Sequence, residues 1–292
     1  MSTRDTGKAG AKYAATLSRF ADRLFVTGGT DVGDEALAIA PERLAVYHQL
    51  VRGNYMSMIR FAYTMTFRVM AADIASNDAR IGWPESVHEI IRKYLQVAPA
   101  GNHSTRHIAD VFRGYFLEHW PAIIEARPEI PDLMRLERAE LEALYHFDDP
   151  GTSPTETELE ALQTAAVDDF LALRILRAPS AAFLRLDHPC TVMQHRMEQR
   201  NPYAPGELTG AERVAVSRDP RTLEAVFTLL DEGLFRVGER APVGEEILVE
   251  ELASQWIGDL PADLAANDDT WKLTTFASAV FTGLATGYFR LA

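Results

Sequence analysis

Two histidines four residues apart, His103 and His107 in the stretch GNHSTRH, are the first residues whose spacing could support chemistry. On one helical face, imidazoles at this separation can bind the same zinc or iron ion. Ser104 and Thr105 are preferred helix N-caps, however, which places His103 before the helix and His107 in its first turn. The glutamate that follows the first histidine in zinc-protease helices is also absent. The sequence therefore favours a capped helix start with surface histidines over a metal site.

A second pattern places carboxylates on an apolar helical face, in the stretch PEIPDLMRLERAELEALYHFDDP. At 100° per residue, Glu137 and Glu140 fall within the arc of four leucines, Leu133, Leu136, Leu141 and Leu144. Such carboxylates need a counter-charge, or must face something other than the core of their own domain. Two interpretations stay open: salt bridges to an arginine such as Arg52 or Arg43, or contact with a partner protein. No Glu-x-x-His pair in this stretch supports a di-iron site.

The single cysteine, Cys190, lies between His188 and His195 in the stretch LDHPCTVMQHRM. A cysteine beside a histidine can be a catalytic nucleophile. A free cysteine just after Pro189 at a helix start is more typical of a small buried hydrophobic residue, and we favour that interpretation. One cysteine excludes an internal disulfide and an all-thiolate zinc site. We find no phosphate-binding glycine loop, dinucleotide fingerprint or serine nucleophile elbow, so no active site is assembled by the sequence.

The elements that would position these residues are mostly helical in the first half of the chain. Pro41 suits the first turn of a helix, and the apolar residues that follow it recur at spacings of three and four. A later helix is expected to end before Pro121, since a residue that precedes proline is disfavoured in helical geometry. The stretch DDPGTSPTETELEALQ indicates a domain boundary. The alternating stretch ERVAVSRDP then predicts a strand, and three amphipathic segments after it predict helices: RTLEAVFTLLDEGLF, VGEEILVEELASQWI and DTWKLTTFASAVFTGLATGYFRL.

The predicted fold class is therefore mainly α with a small α+β part. At 292 residues the chain is long enough for two modest domains. The predicted divisions are an N-terminal tail and first helix (1–40, including AKYAATLSRFADRLF), a helical domain (41–150), a linker region (151–180) and a winged-helix-like α+β domain (181–292).

Charge and hydropathy exclude some classes of function. The chain has a net charge of -13, and residues 198–292 hold 8 Lys plus Arg against 16 Asp plus Glu, a difference of -8. A DNA-binding transcriptional regulator, the alternative that the winged outline suggests, needs the opposite sign of charge, so nucleic acid is not the expected partner. No apolar run is long enough to span a bilayer, and the N-terminus lacks the apolar core of a secretory signal. We expect a cytoplasmic protein without a membrane partner.

Three segments in this order resemble the HvfC/BufC-type proteins, a family whose N-terminal region was long labelled a DNA-binding domain. They are RLAVYHQLVRGNYMSMI, DLMRLERAELEALYHFDD and APSAAFLRLDHPCTVMQHRME. The last third of the chain, from ERVAVSRDP onward, is similar in outline to the peptide-recognition elements of pathways that modify ribosomally made peptides. The resemblance covers roughly residues 15 to 292 and is strongest at the three segments.

The resemblance implies a partner subunit rather than an enzyme that acts alone. Proteins of this kind form a heterodimer with a TIM-barrel multinuclear non-heme iron-dependent oxidase, as in methanobactin-type pathways, and bind the leader of the precursor peptide that the oxidase modifies, often at cysteine. The iron is expected in the barrel, and neither a cofactor nor a catalytic residue in this chain. By motif, the partner interface is expected at Tyr47, Arg52, Asn54, Glu137, Glu140, Tyr145 and His146.

The leader is expected to add as a strand beside residues 212–218 and to lie against the helices that follow. The peptide-binding residues are then Arg213, Val214, Ala215, Val216, Ser217, Leu223 and Phe227.

Overall fold

The structure is a computed structural model that describes residues 41–75, 84–97, 104–145, 151–219 and 221–292. The predicted first helix, the tail at 1–40 and the side chains of His103 and His146 lie outside the described residues. The described helices are α1 (Pro41–Ala62), α2 (Thr64–Ala75), α3 (Val87–Val97), α4 (Thr105–His119), α5 (Pro121–Ala126), α6 (Ile130–Tyr145), α7 (Glu156–Gln163), α8 (Val167–Leu171), α9 (Cys190–Glu198), α10 (Glu232–Arg240), α11 (Val249–Gly258), α12 (Ala262–Ala265) and α13 (Asp269–Thr286).

Six strands form two small antiparallel sheets in the described residues. The strands are β1 (Arg174–Arg177), β2 (Ala182–Leu186), β3 (Glu212–Arg218), β4 (Ala225–Leu229), β5 (Ile247–Leu248) and β6 (Phe289–Leu291). One sheet has the order β5-β1-β6 and the other has the order β2-β3-β4. In the second sheet, Ala215 of β3 is paired with Phe183 of β2 and with Thr228 of β4.

The chain divides into two compact units, one ending at Pro128 and the other beginning at Glu129. In the described part of the first unit, the core is aromatic. Tyr63, Phe67 and Tyr94 surround the ring of Phe112, with ring centroids 5.3 to 5.9 Å from it. The hydroxyl of Tyr63 donates to the carbonyl of Ala109 at 2.8 Å, so its polar atom is satisfied inside the core.

In the second unit, the β2-β3-β4 sheet is covered on both faces. Helix α6 packs on all three strands, and α10 packs on β2 and β3. Ala215 and Phe183 belong to the same apolar core as Phe235 of α10, so the alternate residues of β3 face α6. Gly238 of α10 lies against the ring of Phe183, where a Cβ atom would overlap the ring, which allows the helix to approach the sheet closely.

Local signals in the sequence explain several element boundaries. The predicted cap of α4 is confirmed, because the Ser104 hydroxyl accepts from the amide of His107 at 3.2 Å. The same helix ends at His119, immediately before the Trp120–Pro121 bond, as predicted. The strand predicted from ERVAVSRDP is β3.

The expectation of a mainly helical chain with a small β part is confirmed. The helix predicted over RTLEAVFTLLDEGLF is wrong in its first part, where residues 225–229 form β4 and α10 begins only at Glu232. Pairing with β3 and the cap at Asp231 decide this boundary: the Asp231 carboxylate accepts from the amide of Leu234 at 2.8 Å.

The division into domains also differs from the predicted one. Helix α6 groups with the C-terminal unit, because its contacts are with β2, β3, β4 and α9. Residues 151–180, predicted as a linker, contain α7, α8 and β1. They are attached to the end of the chain, since the amide of Thr152 donates to the carbonyl of Leu291 at 2.9 Å and the amide of Leu291 donates back at 2.9 Å.

Candidate functional site

Strand β4 is an open edge of the β2-β3-β4 sheet in the part of the chain that the structure describes. The amide of Leu230 donates to the carbonyl of Arg213 at 2.9 Å, so these two opposite residues form a hydrogen-bonded pair of the β3–β4 ladder. Along an antiparallel ladder, such pairs alternate with pairs whose N–H and C=O groups point away from the partner strand. The N–H and C=O groups of Ala225, Phe227 and Leu229 therefore point away from β3, toward the open edge.

The composition of this edge is unusual for an exposed strand. Its sequence, AVFTL, contains neither a charged residue nor a proline, the features that normally protect sheet edges from pairing with other chains. Leu229 is 61% exposed, and Leu223 in the preceding turn is also exposed. The edge can therefore accept an extended peptide through its backbone and present apolar side chains beside it.

The turn between β3 and β4 is held by Asp219. Its carboxylate accepts from the amides of Arg221 at 2.7 Å and Thr222 at 3.0 Å. The hydrogen bonds from Thr222 and Arg221 lower the pKa of Asp219 from its ordinary value. In the same turn, Leu223 has a φ of 62°, a left-handed conformation that is uncommon for leucine, and its side chain is exposed. The amide of Leu223 donates to the carbonyl of Asp219 at 2.9 Å, so the backbone at this exposed apolar residue is held by the turn.

The structure corrects the predicted placement of an added strand. Strand β3, residues 212–218, is the central strand and is paired with β2 on one side and β4 on the other. It has no open edge, so a peptide strand cannot be added beside it. Of the residues predicted to bind peptide, Val214, Ala215, Val216 and Ser217 are buried in β3. Leu223 and Phe227 lie in the β4 hairpin.

A carboxylate of α6 organises the turn between β2 and α9. Asp132 accepts three hydrogen bonds, from Arg135 at 3.1 Å, from the amide of Asp187 at 2.8 Å and from the Nδ1 atom of His188 at 3.0 Å when that nitrogen is protonated. Arg135 also donates to the carbonyl of Arg185 at 3.0 Å. Two of the segments singled out in the sequence, DLMRLERAELEALYHFDD and APSAAFLRLDHPCTVMQHRME, therefore meet at this carboxylate.

A second carboxylate, Glu212 at the start of β3, caps α9. The helix begins after Pro189, which provides no capping side chain. Glu212 accepts instead from the amide of Thr191 at 3.0 Å and from its hydroxyl at 2.7 Å. Cys190 is fully buried beside this cap, as predicted. Burial first, and then the negative charges of Asp132 and Glu212, raise the pKa of its thiol, which disfavours the nucleophilic thiolate.

Three arginines converge on Glu232 at the start of α10. Arg213 forms an ion pair with it, Arg236 donates to it at 2.6 Å and Arg185 at 3.3 Å. The guanidinium of Arg185 also lies 5.2 Å from the ring centre of Phe235. Burial acts to raise the pKa of Glu232, but the bond from Arg236 and the charges of Arg213 and Arg185 outweigh it and hold the pKa below its ordinary value. This cluster joins α10 to β2 and β3.

The predicted partner-interface residues have different environments. Glu137 is only 5% exposed, whereas Glu140 is partly exposed. Burial, and then the charge of Glu198, raise the pKa of Glu140. Glu137 is too buried for a second protein to reach, so the two glutamates do not form one exposed acidic surface. Tyr145 at the end of α6 is exposed, and the predicted neighbour His146 lies outside the described residues.

The remaining predicted interface residues lie on the first half of α1. Tyr47 and Asn54 are exposed and Arg52 is partly exposed. The same half of the helix exposes Val46 and Leu50, the latter at 64%. The second half of the helix is instead packed into the core, where Ile59 is fully buried. The exposed apolar residues of the first half form a surface that a partner protein could cover.

In the part of the chain that the structure describes, no group of three or more His, Cys, Asp or Glu side chains is placed to hold a metal ion. None of the described helices is both long enough and apolar enough to cross a bilayer. Compared with known proteins, the chain matches no described protein family and no curated protein sequence.

Proposed function

We propose that this chain is the non-catalytic partner subunit of an iron-dependent complex that modifies a ribosomally made peptide. It forms a heterodimer with a TIM-barrel multinuclear non-heme iron-dependent oxidase and binds the leader of the precursor peptide. The iron belongs to the barrel. The C-terminal residues act as a winged-helix-like recognition module, and the open, uncharged edge of β4 is the observation that carries the proposal.

The leader binds as a fourth strand beside β4. The outward N–H and C=O groups of Ala225, Phe227 and Leu229 pair with its backbone, which supplies affinity for an extended segment of any sequence. Leu229 and Leu223 contact alternate side chains of the added strand and favour apolar residues there.

The exposed first half of α1 supports the heterodimer. Protein interfaces are enriched in aromatic residues at their buried centres. The side chains of Val46, Tyr47 and Leu50 are all more than half exposed. Leu50 is four positions after Val46 and three after Tyr47, so it is a neighbour of both on the helix surface. Burial of such a surface stabilises a complex in proportion to the apolar area removed from water.

The test is co-expression of this chain with a barrel enzyme of this class and any short precursor peptide encoded beside them, followed by metal analysis and peptide mass spectrometry. The decisive variant is Leu229→Pro. Proline has no N–H group, and the N–H group of residue 229 points to the open edge rather than to β3. The β3–β4 ladder therefore stays intact, whereas pairing with an added strand is disrupted. We expect the variant to co-purify with the iron-loaded barrel and to lose most of the peptide modification.

The matched control is Leu229→Ala, which keeps the outward N–H and is expected to retain most of the modification. If Leu229→Pro is folded by circular dichroism, remains bound to the barrel and still supports full modification, the leader does not bind at β4. If the barrel modifies the peptide equally well without this chain, the proposed function as a whole is wrong.

A further inference from the structure

A groove of about 660 Å³ lies in the N-terminal unit, between the end of α1, helix α2 and the first turn of α3. Its volume falls within the roughly 300–1,000 Å³ typical of small-molecule sites. The proposed peptide binding involves β4 and the proposed heterodimer involves the first half of α1, so neither accounts for this groove.

One wall of the groove is an apolar stripe on α2. Phe67, Ala71 and Ile74 line it at helical spacings of four and three, which place them on one face. Phe61, at the end of α1, lies at the same groove and is 53% exposed. Within the stripe, Ala71 is exposed and Ile74 is partly exposed, whereas Phe67 is buried. An apolar ligand body placed along this stripe would therefore cover Ala71, Ile74 and Phe61, which water now contacts.

The groove also carries an excess of positive charge. Arg60 and Arg68 both line it, and neither forms an ion pair with a described residue. The described contact of the Arg68 guanidinium is with the sulfur of Met65 at 3.8 Å. Glu85 is the carboxylate among the lining residues, so two guanidinium groups face one acid. The chain as a whole has a net charge of -13, so this local excess of positive charge favours the binding of an anion in the groove.

We propose that the groove binds a small amphiphilic carboxylate. The apolar body lies along Phe67, Ala71 and Ile74, and the carboxylate pairs with Arg60 and Arg68. Guanidinium groups match the planar, two-oxygen geometry of a carboxylate better than a lysine would. The ligand class is a medium-chain fatty acid or an aryl-alkyl acid of similar length.

Isothermal titration calorimetry of the full chain with decanoate tests the proposal, with decanol as the uncharged comparison. We expect decanoate to bind at one site per chain and decanol to bind at least tenfold more weakly. Arg60→Gln and Arg68→Gln should each weaken decanoate binding by about tenfold, because each removes a charge-assisted hydrogen bond. The matched control is Arg43→Gln, which changes an exposed arginine on α1 outside the groove and should leave binding unchanged.

Ala71→Trp tests the position of the apolar body. Ala71 is exposed, so a larger side chain there fills the groove without entering the core. We expect the variant to keep its thermal midpoint and to lose decanoate binding. Equal binding of decanoate and decanol, unchanged binding in both arginine variants, or full binding by folded Ala71→Trp would each overturn the proposal.

Discussion

Two regions of the molecule differ in which side chains they bury. The turn between β2 and α9 buries charged side chains, whereas the first half of α1 exposes apolar ones. At the turn, the carboxylates of Asp132 and Glu212 are buried, and each accepts two or more hydrogen bonds. On α1, the apolar side chains of Val46 and Leu50 are exposed. Buried polar groups with satisfied partners maintain the fold, whereas exposed apolar groups on one helix are available to a partner.

The comparison separates two kinds of unusual residue. A buried carboxylate such as Asp132 is explained by the groups that it binds within its own unit. Among the residues that the structure describes, no such contact accounts for the exposed apolar side chain of Leu50. Substitutions in the first region should therefore lower the stability of the isolated chain, and substitutions in the second should instead affect assembly.

Within the two compared regions, the largest effect is expected for Asp132→Ala. The change removes the acceptor for the Asp187 amide, Arg135 and His188 and leaves a buried amide without its partner. The loss should be about 3 kcal/mol in the free energy of unfolding, since an unsatisfied buried group costs its desolvation energy. Urea denaturation followed by circular dichroism measures it.

Asp169→Ala is the control for this change, because Asp169 is exposed on α8 and its loss should alter the free energy of unfolding by less than about 0.5 kcal/mol. A loss below about 1 kcal/mol for Asp132→Ala would mean that the turn does not depend on this carboxylate.

A smaller effect is expected from Glu232→Gln, and it should depend on pH. The folded pKa of Glu232 is held below the ordinary value of 4.5, so its carboxylate stabilises the fold above that value and the contribution is lost as the pH falls through the folded pKa. At neutral pH the variant should be less stable by about 1 kcal/mol. The difference from wild type should shrink as the pH is lowered below 4.5.

Denaturant midpoints measured between neutral pH and the acid limit of folding give this dependence. Glu250→Gln provides the control, since Glu250 is exposed on α11 and its substitution should change the free energy of unfolding at neutral pH by less than about 0.5 kcal/mol. A Glu232→Gln difference that stays constant over the whole range would show that the three arginines do not stabilise the charged form.

Local signals in the sequence were sufficient to predict several features of the fold. The Ser104 cap, the helix end before Pro121, the alternating pattern of β3 and the burial of Cys190 each depend on residues close together in the chain. The groups that hold the β2–α9 turn were not predicted, because Asp132 and the amide of Asp187 are 55 positions apart. No pattern in one sequence indicates such a pairing.

Strand β4 was also mispredicted, because its secondary structure depends on pairing with another segment. In RTLEAVFTLLDEGLF, the apolar residues Leu223, Val226 and Leu230 also follow helical spacing. The strand forms because Ala225–Leu229 pairs with β3, a contact that propensity alone does not specify. The sequence therefore predicted strand β3, but not strand β4, which pairs with it and forms the open edge of the sheet.

The smallest effect on stability is expected for Leu50→Gln on α1. Leucine and glutamine have similar helix propensities, and Leu50 is 64% exposed, so the free energy of unfolding of the isolated chain should change by less than about 0.5 kcal/mol. Ile59→Ala on the same helix is the contrast, because Ile59 is fully buried and its truncation should cost about 2–5 kcal/mol. If Leu50→Gln leaves stability unchanged but weakens co-purification with the barrel enzyme, this half of α1 belongs to the interface. A loss of more than 1 kcal/mol in the isolated chain would show instead that Leu50 contributes to the fold of its own unit.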